Sequence, residues 1–169
     1  MPQSLRSLVS AQLGWTWRDE QDFALLADDN RLEYRSPLPS GTAAGEADAV
    51  WYAAGSALAE NASQRWDLTA LPRNVFGRTI TQSFAAIKAL LLLPRGESQG
   101  VLVLGGDTLT PWWEPFGAAE QTLRISPAGA LLLSHPGTGW MVTAQACNLQ
   151  LKAQGGSVSY DLALIGVAA

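Results

Sequence analysis

Apolar residues gather in short runs from Val50 onward, each cut by glycine, proline, serine or asparagine. The longest is ITQSFAAIKALLLL, Ile80 to Leu93, followed by VLVLGGD at Val101 to Asp107. Others lie at Ala130 to Leu133, Trp140 to Val142 and Ser157 to Gly166. Short apolar runs bounded by turn residues predict strands. In ITQSFAAIKALLLL neither alternate set of residues is polar. That predicts a central strand covered on both sides in its C-terminal half, with Lys88 reaching past an apolar rim. A helix there would lack a polar face and would stop abruptly at Pro94. VLVLGG is expected to pair nearby through the turn around Arg95 to Gly100.

The last run is the clearest strand, because Val158, Tyr160, Leu162 and Leu164 share one face. Leu149 and Leu151 alternate with Gln150 and Lys152, Leu123 and Ile125 share a face, and ALLLS forms another short strand. VWYAAGSALAENASQRWDLTAL contains helix formers, yet Trp51, Tyr52, Trp66 and Gly55 favour two edge strands, Val50 to Leu58 and Gln64 to Asp67. Leu71 to Asn74 and Phe76-Gly77 read as turns. About eight strands at short spacing predict an all-β fold, a β-sandwich of jelly-roll-like type, over residues 50–169.

The first 49 residues read differently. Ser4 to Leu13 fits a short helix or a strand, and Trp15, Trp17 and Phe23 anchor a charged segment, WRDEQDFALLADDN. Ser36 to Asp48 has the composition of a loop. These features predict an irregular or partly helical N-terminal arm over 1–49, joined to the body by a flexible or extended loop. Its apolar residues are too few for a separate domain.

A chain of 169 residues buries roughly two thirds of its unfolded surface as one domain, without needing metals or disulfides. Charged residues make up 15% of it, below the roughly 25% usual for soluble domains. Weakly charged surfaces suit contacts between subunits and are equally compatible with a monomer; of the two, a homo-oligomer is expected. The net charge is −4 and the basic residues are scattered. Arg31 and Arg35 sit among Asp28, Asp29 and Glu33, which argues against direct nucleic-acid binding. Cys147, the single cysteine, reads as a small buried hydrophobe. MPQSLRSLVSAQLGW lacks the apolar core of a signal peptide, and LLLLP is far short of the roughly 18 apolar residues of a membrane helix.

Candidate chemistry is sparse. His135 is the sole histidine, and Ser134 beside it points to the other face if the strand continues, so a proton-transfer pair is not expected. One cysteine and one histidine do not make a zinc site. The groups Asp19, Glu20, Asp22 and Asp28, Asp29, Asn30 lack calcium-loop spacing. Gly105-Gly106-Asp107 and Gly155-Gly156 read as sheet turns, because neither carries a phosphate-loop pattern. Glu114 and Glu120 do not establish a glycosidase pair. No catalytic, cofactor or metal site is expected. The most distinctive group is aromatic: Trp112 and Trp113 between Pro111 and Pro115, Phe116 directly after, and Trp140 beyond. Such rings plug the end of a sandwich, anchor a protein interface or form a sugar platform.

In order, VWYAAGSALAENASQRWDLTAL, FGRTITQSFAAIKALLLL, GVLVLGGD, ISPAGALLLSHPGTGW and LQLKAQGGSVSYDLALIGV resemble a group of small phage and prophage virion proteins of β-sandwich character. Ala128 stands in the PAG turn where that group more often has glycine, which calls for a negative φ there. The resemblance implies a non-enzymatic structural part of a tail or head. Such a part assembles in multiple copies with other virion proteins, in the virion and in the host cytoplasm during assembly. It brings no catalytic residue. The alternative is a carbohydrate-binding module that meets a surface glycan through its tryptophan-bearing loops.

Overall fold

The computed structural model describes residues 4–21, 24–75, 77–106 and 109–169, all of them in strands and their connections. Two long strands come first, β1 (Ser7–Gln21) and β2 (Ala24–Leu38). Then follow β3 (Ala49–Leu58), β4 (Ser63–Asp67), β5 (Leu71–Val75), β6 (Arg78–Gln82) and β7 (Phe84–Pro94). The remainder are β8 (Val101–Gly105), β9 (Thr122–Ile125), β10 (Leu131–Ser134), β11 (Trp140–Met141), β12 (Asn148–Gln154) and β13 (Val158–Ala168).

Nine of these strands form two layers. One sheet runs β10-β7-β13-β3, with β11 also on β7, and the other runs β4-β12-β8-β9. Their inner faces share one core. β13 supplies Val158, Tyr160, Leu162 and Leu164, β12 supplies Leu149, Leu151 and Ala153, and β8 supplies Leu102 and Leu104. Alternation places these side chains together, and burying each leucine or valine contributes about 1.5–3 kcal/mol. The predicted edge strands are present: β3 and β4 each end one sheet. Trp51 on β3 lies edge-on to Trp66 at 4.8 Å and donates its indole N–H to the Pro72 carbonyl at 2.7 Å.

Several expectations need correction. Leu71 to Asn74 is not a turn but part of β5, which pairs with β6 as a hairpin; Phe76 lies outside the described residues. The run from Ile80 to Leu93 is two strands, because Ser83 separates β6 from β7 and the Phe84 N–H bonds the Leu68 carbonyl at 3.0 Å. β8 does not pair back on β7. The turn after Pro94 carries the chain to the other layer, where β8 bonds β12 and β9.

Ala128 also departs from expectation, with φ of +58°. The Gly129 N–H bonds the Ser126 carbonyl at 3.0 Å, closing a turn with Pro127 second and a left-handed residue third, the type II pattern. An alanine there accepts a steric cost of roughly 1–2 kcal/mol that glycine avoids.

Lys88 does not snorkel to solvent. The pairing of β13 with β7 steps from Ile165↔Ala89 to Gly166↔Ile87, leaving Lys88 as the extra residue of a bulge. It is 1% exposed, and its ammonium bonds the carbonyls of Ala43, at 3.3 Å, and Gly137. Burial lowers its pKa, partly offset by the charge of Glu46. These contacts tie down the Pro39–Asp48 connection, as do bonds from Gly45 N–H to Pro136 O at 2.9 Å and Asp48 N–H to Gly166 O at 3.1 Å.

The N-terminal arm is neither irregular nor helical. β1 and β2 form an antiparallel hairpin paired residue for residue from Ser7↔Leu38 to Gln21↔Ala24. Val9, Ala11, Leu13, Trp15 and Trp17 alternate with Ser10, Gln12, Gly14 and Thr16, which is the period of a strand. Phe23, read as an anchor of this arm, lies outside the described residues.

Tyr160 makes the core sensitive to alkali. Burial raises its pKa, while hydrogen bonds from the Trp66 indole and with Ser56 act in the opposite direction. The unfolded phenol ionises near pH 10. Its contribution is therefore complete below about pH 10 and lost as pH rises through the higher folded-state value. Tyr160→Phe is expected to show a shallower loss of stability in that window, measured by urea unfolding at stepped alkaline pH. Identical slopes for both proteins would refute the assignment.

Candidate functional site

The four aromatic residues singled out in the sequence lie at one end of the two layers, but they do different things. The segment that carries them is fastened at its start by Thr110, a β-branched residue at φ +45°. The Thr110 carbonyl accepts N–H bonds from Cys147 at 3.1 Å and Asn148 at 2.9 Å. The Asn148 side-chain amide donates to Leu109 O at 2.7 Å and to Thr110 Oγ1 at 2.8 Å. This bonding holds the strained backbone in place.

Trp112 then turns inward. It is 1% exposed, and its indole N–H donates to the Met141 carbonyl at 2.9 Å. Phe116 and Trp140 meet it edge-on, with centroids at 6.4 and 6.3 Å, and both are packed against the core. Glu114 accepts the Met141 N–H at 2.8 Å, which uses its carboxylate to clasp β11. Trp113 is 41% exposed and is the member of the four that faces solvent. A sugar platform needs open ring faces, and three of these rings are instead packed into the end of the core.

His135 is exposed; its Nδ1 accepts the Gly139 N–H at 3.1 Å and its ring lies edge-on to Trp140 at 5.5 Å. The Ser134 hydroxyl bonds the Tyr34 phenol at 3.0 Å rather than His135. Cys147 is buried and free. No group of three or more His, Cys, Asp or Glu side chains positioned to hold a metal occurs among the described residues; Asp22 and Asp107 lie outside them.

The surface that sequence reasoning missed is on the arm. Cross-strand partners share a face, so Ala11 and Tyr34, Leu13 and Leu32, Trp15 and Asn30, and Trp17 and Asp28 stand together. Arg18, Glu20, Asp29, Arg31, Glu33 and Arg35 occupy the opposite face. At its base the apolar face is covered, because Val9 and Leu38 are buried with Ala89, and Leu132 and Ile165 pack around them. Those last three residues belong to the outer face of the β10-β7-β13-β3 sheet. Farther out the cover ends: Leu13 is 67%, Leu32 70% and Trp17 53% exposed. The Trp15 indole donates to Asp28 at 2.8 Å, giving the one acid in the middle of this strip a partner.

The outer sheet face beyond the arm is also apolar. Tyr52 and Ala54 of β3, Leu91 and Leu93 of β7 and Ala163 of β13 line a shallow depression of about 210 Å³. The Arg95–Asp161 ion pair, at 2.9 Å, stands at its rim, and the Asp161 carboxylate also accepts the Gly55 N–H at 2.6 Å. The guanidinium holds the Asp161 pKa below its ordinary value. No helix among the described residues is long and apolar enough to cross a membrane. Scans against protein-family models, curated proteins and solved structures each return no match to this chain.

Proposed function

We propose that this chain is a non-enzymatic structural or assembly protein that self-associates, or decorates a phage-like particle, through its N-terminal hairpin arm. The observation that carries the reading is the exposed apolar face of that arm. A two-stranded hairpin is marginal in water on its own, and one that leaves Leu13, Trp17 and Leu32 open calls for a partner. The Ser134 hydroxyl is turned to Tyr34 rather than to His135, so the two residues that the sequence sets side by side are not hydrogen-bonded to each other.

Strand order supports a jelly roll and, with it, the virion reading. With the two-residue β11 set aside, eight layer strands remain; the first pairs with the eighth (β3 with β13) and the second with the seventh (β4 with β12). The third pairs with the sixth (β7 with β10) and the fourth with the fifth (β8 with β9). That is a long hairpin rolled into two layers, the order of the jelly rolls found in viral capsids and lectins. Architecture alone does not assign a role, so the arm remains the main support. On this reading the partners are further copies and other virion proteins, and the protein resides in the virion and, before assembly, in the host cytoplasm. The glycan reading now rests on Trp113, and loss of glycan-array binding in Trp113→Ala would favour it.

Gel filtration coupled to light scattering tests the proposal. The wild-type chain is expected to be multimeric, with Leu13→Ser/Trp17→Ser/Leu32→Ser shifted toward monomer at the same concentration. A wild type that stays monomeric at high concentration, and is not recruited to purified particles, would overturn it.

A further inference from the structure

We infer that the open half of the outer β10-β7-β13-β3 face is the seat for the hairpin arm of a second copy of this chain. This rests on the self-association proposed above and specifies its geometry. The molecule already shows the contact in miniature, since the base of each arm lays Val9 and Leu38 on Ala89, Leu132 and Ile165 of its own sheet. Leu91 and Ala163 line both the depression beside that base and the depression below Tyr52 and Ala54. The occupied and open parts are therefore one continuous apolar surface.

The chain's own arm does not cover the open part. Tyr34 reaches Ser134 on β10, the edge strand farthest from β3, while Tyr52 and Ala54 belong to β3 at the other edge. An arm of 15 paired residues extends roughly 50 Å at about 3.4 Å per residue. That length carries its apolar face well past the sheet on which its base sits. A neighbour's sheet offers the same kind of surface that holds the base.

The exposed leucines and aromatics of the arm present several hundred Å², on the order of the roughly 800 Å² per partner buried in a stable interface. The charges also allow it, because the seat's charged rim is the internally paired Arg95–Asp161 and the arm's Asp28 is held by Trp15. Arm and seat are different surfaces, so reciprocal exchange of arms about a two-fold closes a dimer, whereas one-way contacts propagate into a ring or a filament.

The test uses two variants of the full chain. Trp17→Ser/Leu32→Ser removes the arm's face, and Tyr52→Asp/Ala54→Asp removes the seat; all four side chains are exposed, so the body is expected to keep its circular dichroism and melting temperature. Each variant alone is expected to lose assembly. Mixed in equal amounts, they should form a dimer that grows no further, because one partner has the only intact arm and the other the only intact seat. Tyr52→Ser, a milder change, should weaken assembly at least tenfold. If wild type assembles but the seat variants assemble equally well, or mixing restores nothing, the seat is wrong while self-association stands. A monomeric wild type would sink both.

Discussion

Trp112→Ala is expected to lower unfolding stability by about 3–5 kcal/mol, the usual cost of truncating a buried aromatic side chain to alanine. Three losses combine. The cavity would sit where the indole now meets Phe116 and Trp140 edge-on. The Met141 carbonyl would lose its donor, and the segment after Thr110 would lose the anchor that rewards its strained backbone. Trp113→Ala removes an adjacent ring of the same size, yet should cost only about 1 kcal/mol, because that ring is 41% exposed and leaves no enclosed cavity. Urea unfolding of the two variants side by side gives the answer. Similar midpoints would mean that Trp112 does not close the core.

Gly166→Ala should destabilise the body by about 1–3 kcal/mol or more, although it adds a single methyl group. A Cβ built at Gly166 would stand 2.1 Å from the Ala86 carbonyl oxygen and 3.0 Å from the Ile87 Cα. Both are backbone atoms of the central strand β7, so no rotamer change relieves the clash. The residue also lies where Lys88 bulges out of the ladder, and Gly166 O accepts the Asp48 N–H. Separating β13 from β7 would therefore disturb the Lys88 contacts and the connection that seats the arm. Gly155→Ala is the control: nothing lies within 4 Å of its Cβ position, though its φ of +75° leaves a backbone cost. A Gly166→Ala protein as stable as wild type would show that β7 moves aside freely.

Much of the body was legible because its strands alternate. Val158, Tyr160, Leu162 and Leu164 specify one buried face at a spacing of two, and no other conformation puts them together as well. The two edge strands flanking Glu60 to Ala62 were readable from aromatic and turn residues. The arm carried an equally regular alternation from Val9 to Trp17, but the charged run that follows it, Arg18 to Glu20, made it read as an irregular charged segment. Lys88 and Ala128 were misjudged for a related reason. A bulge and a left-handed turn residue depend on what the neighbouring strand or turn demands, not on the residue itself.

The amino-acid order by itself determined that this chain builds sheets, which residues alternate into a core and where most turns interrupt them, because period and turn chemistry are local properties. It also supplied the aromatic group around Trp112 without saying which ring goes inside. Only the tertiary structure decided that Trp112 is buried while Trp113 is exposed, that β7 and β8 lie in different layers, and that one face of the arm is left open. Those outcomes depend on contacts between residues far apart in the chain, and the same local pattern is compatible with several such pairings.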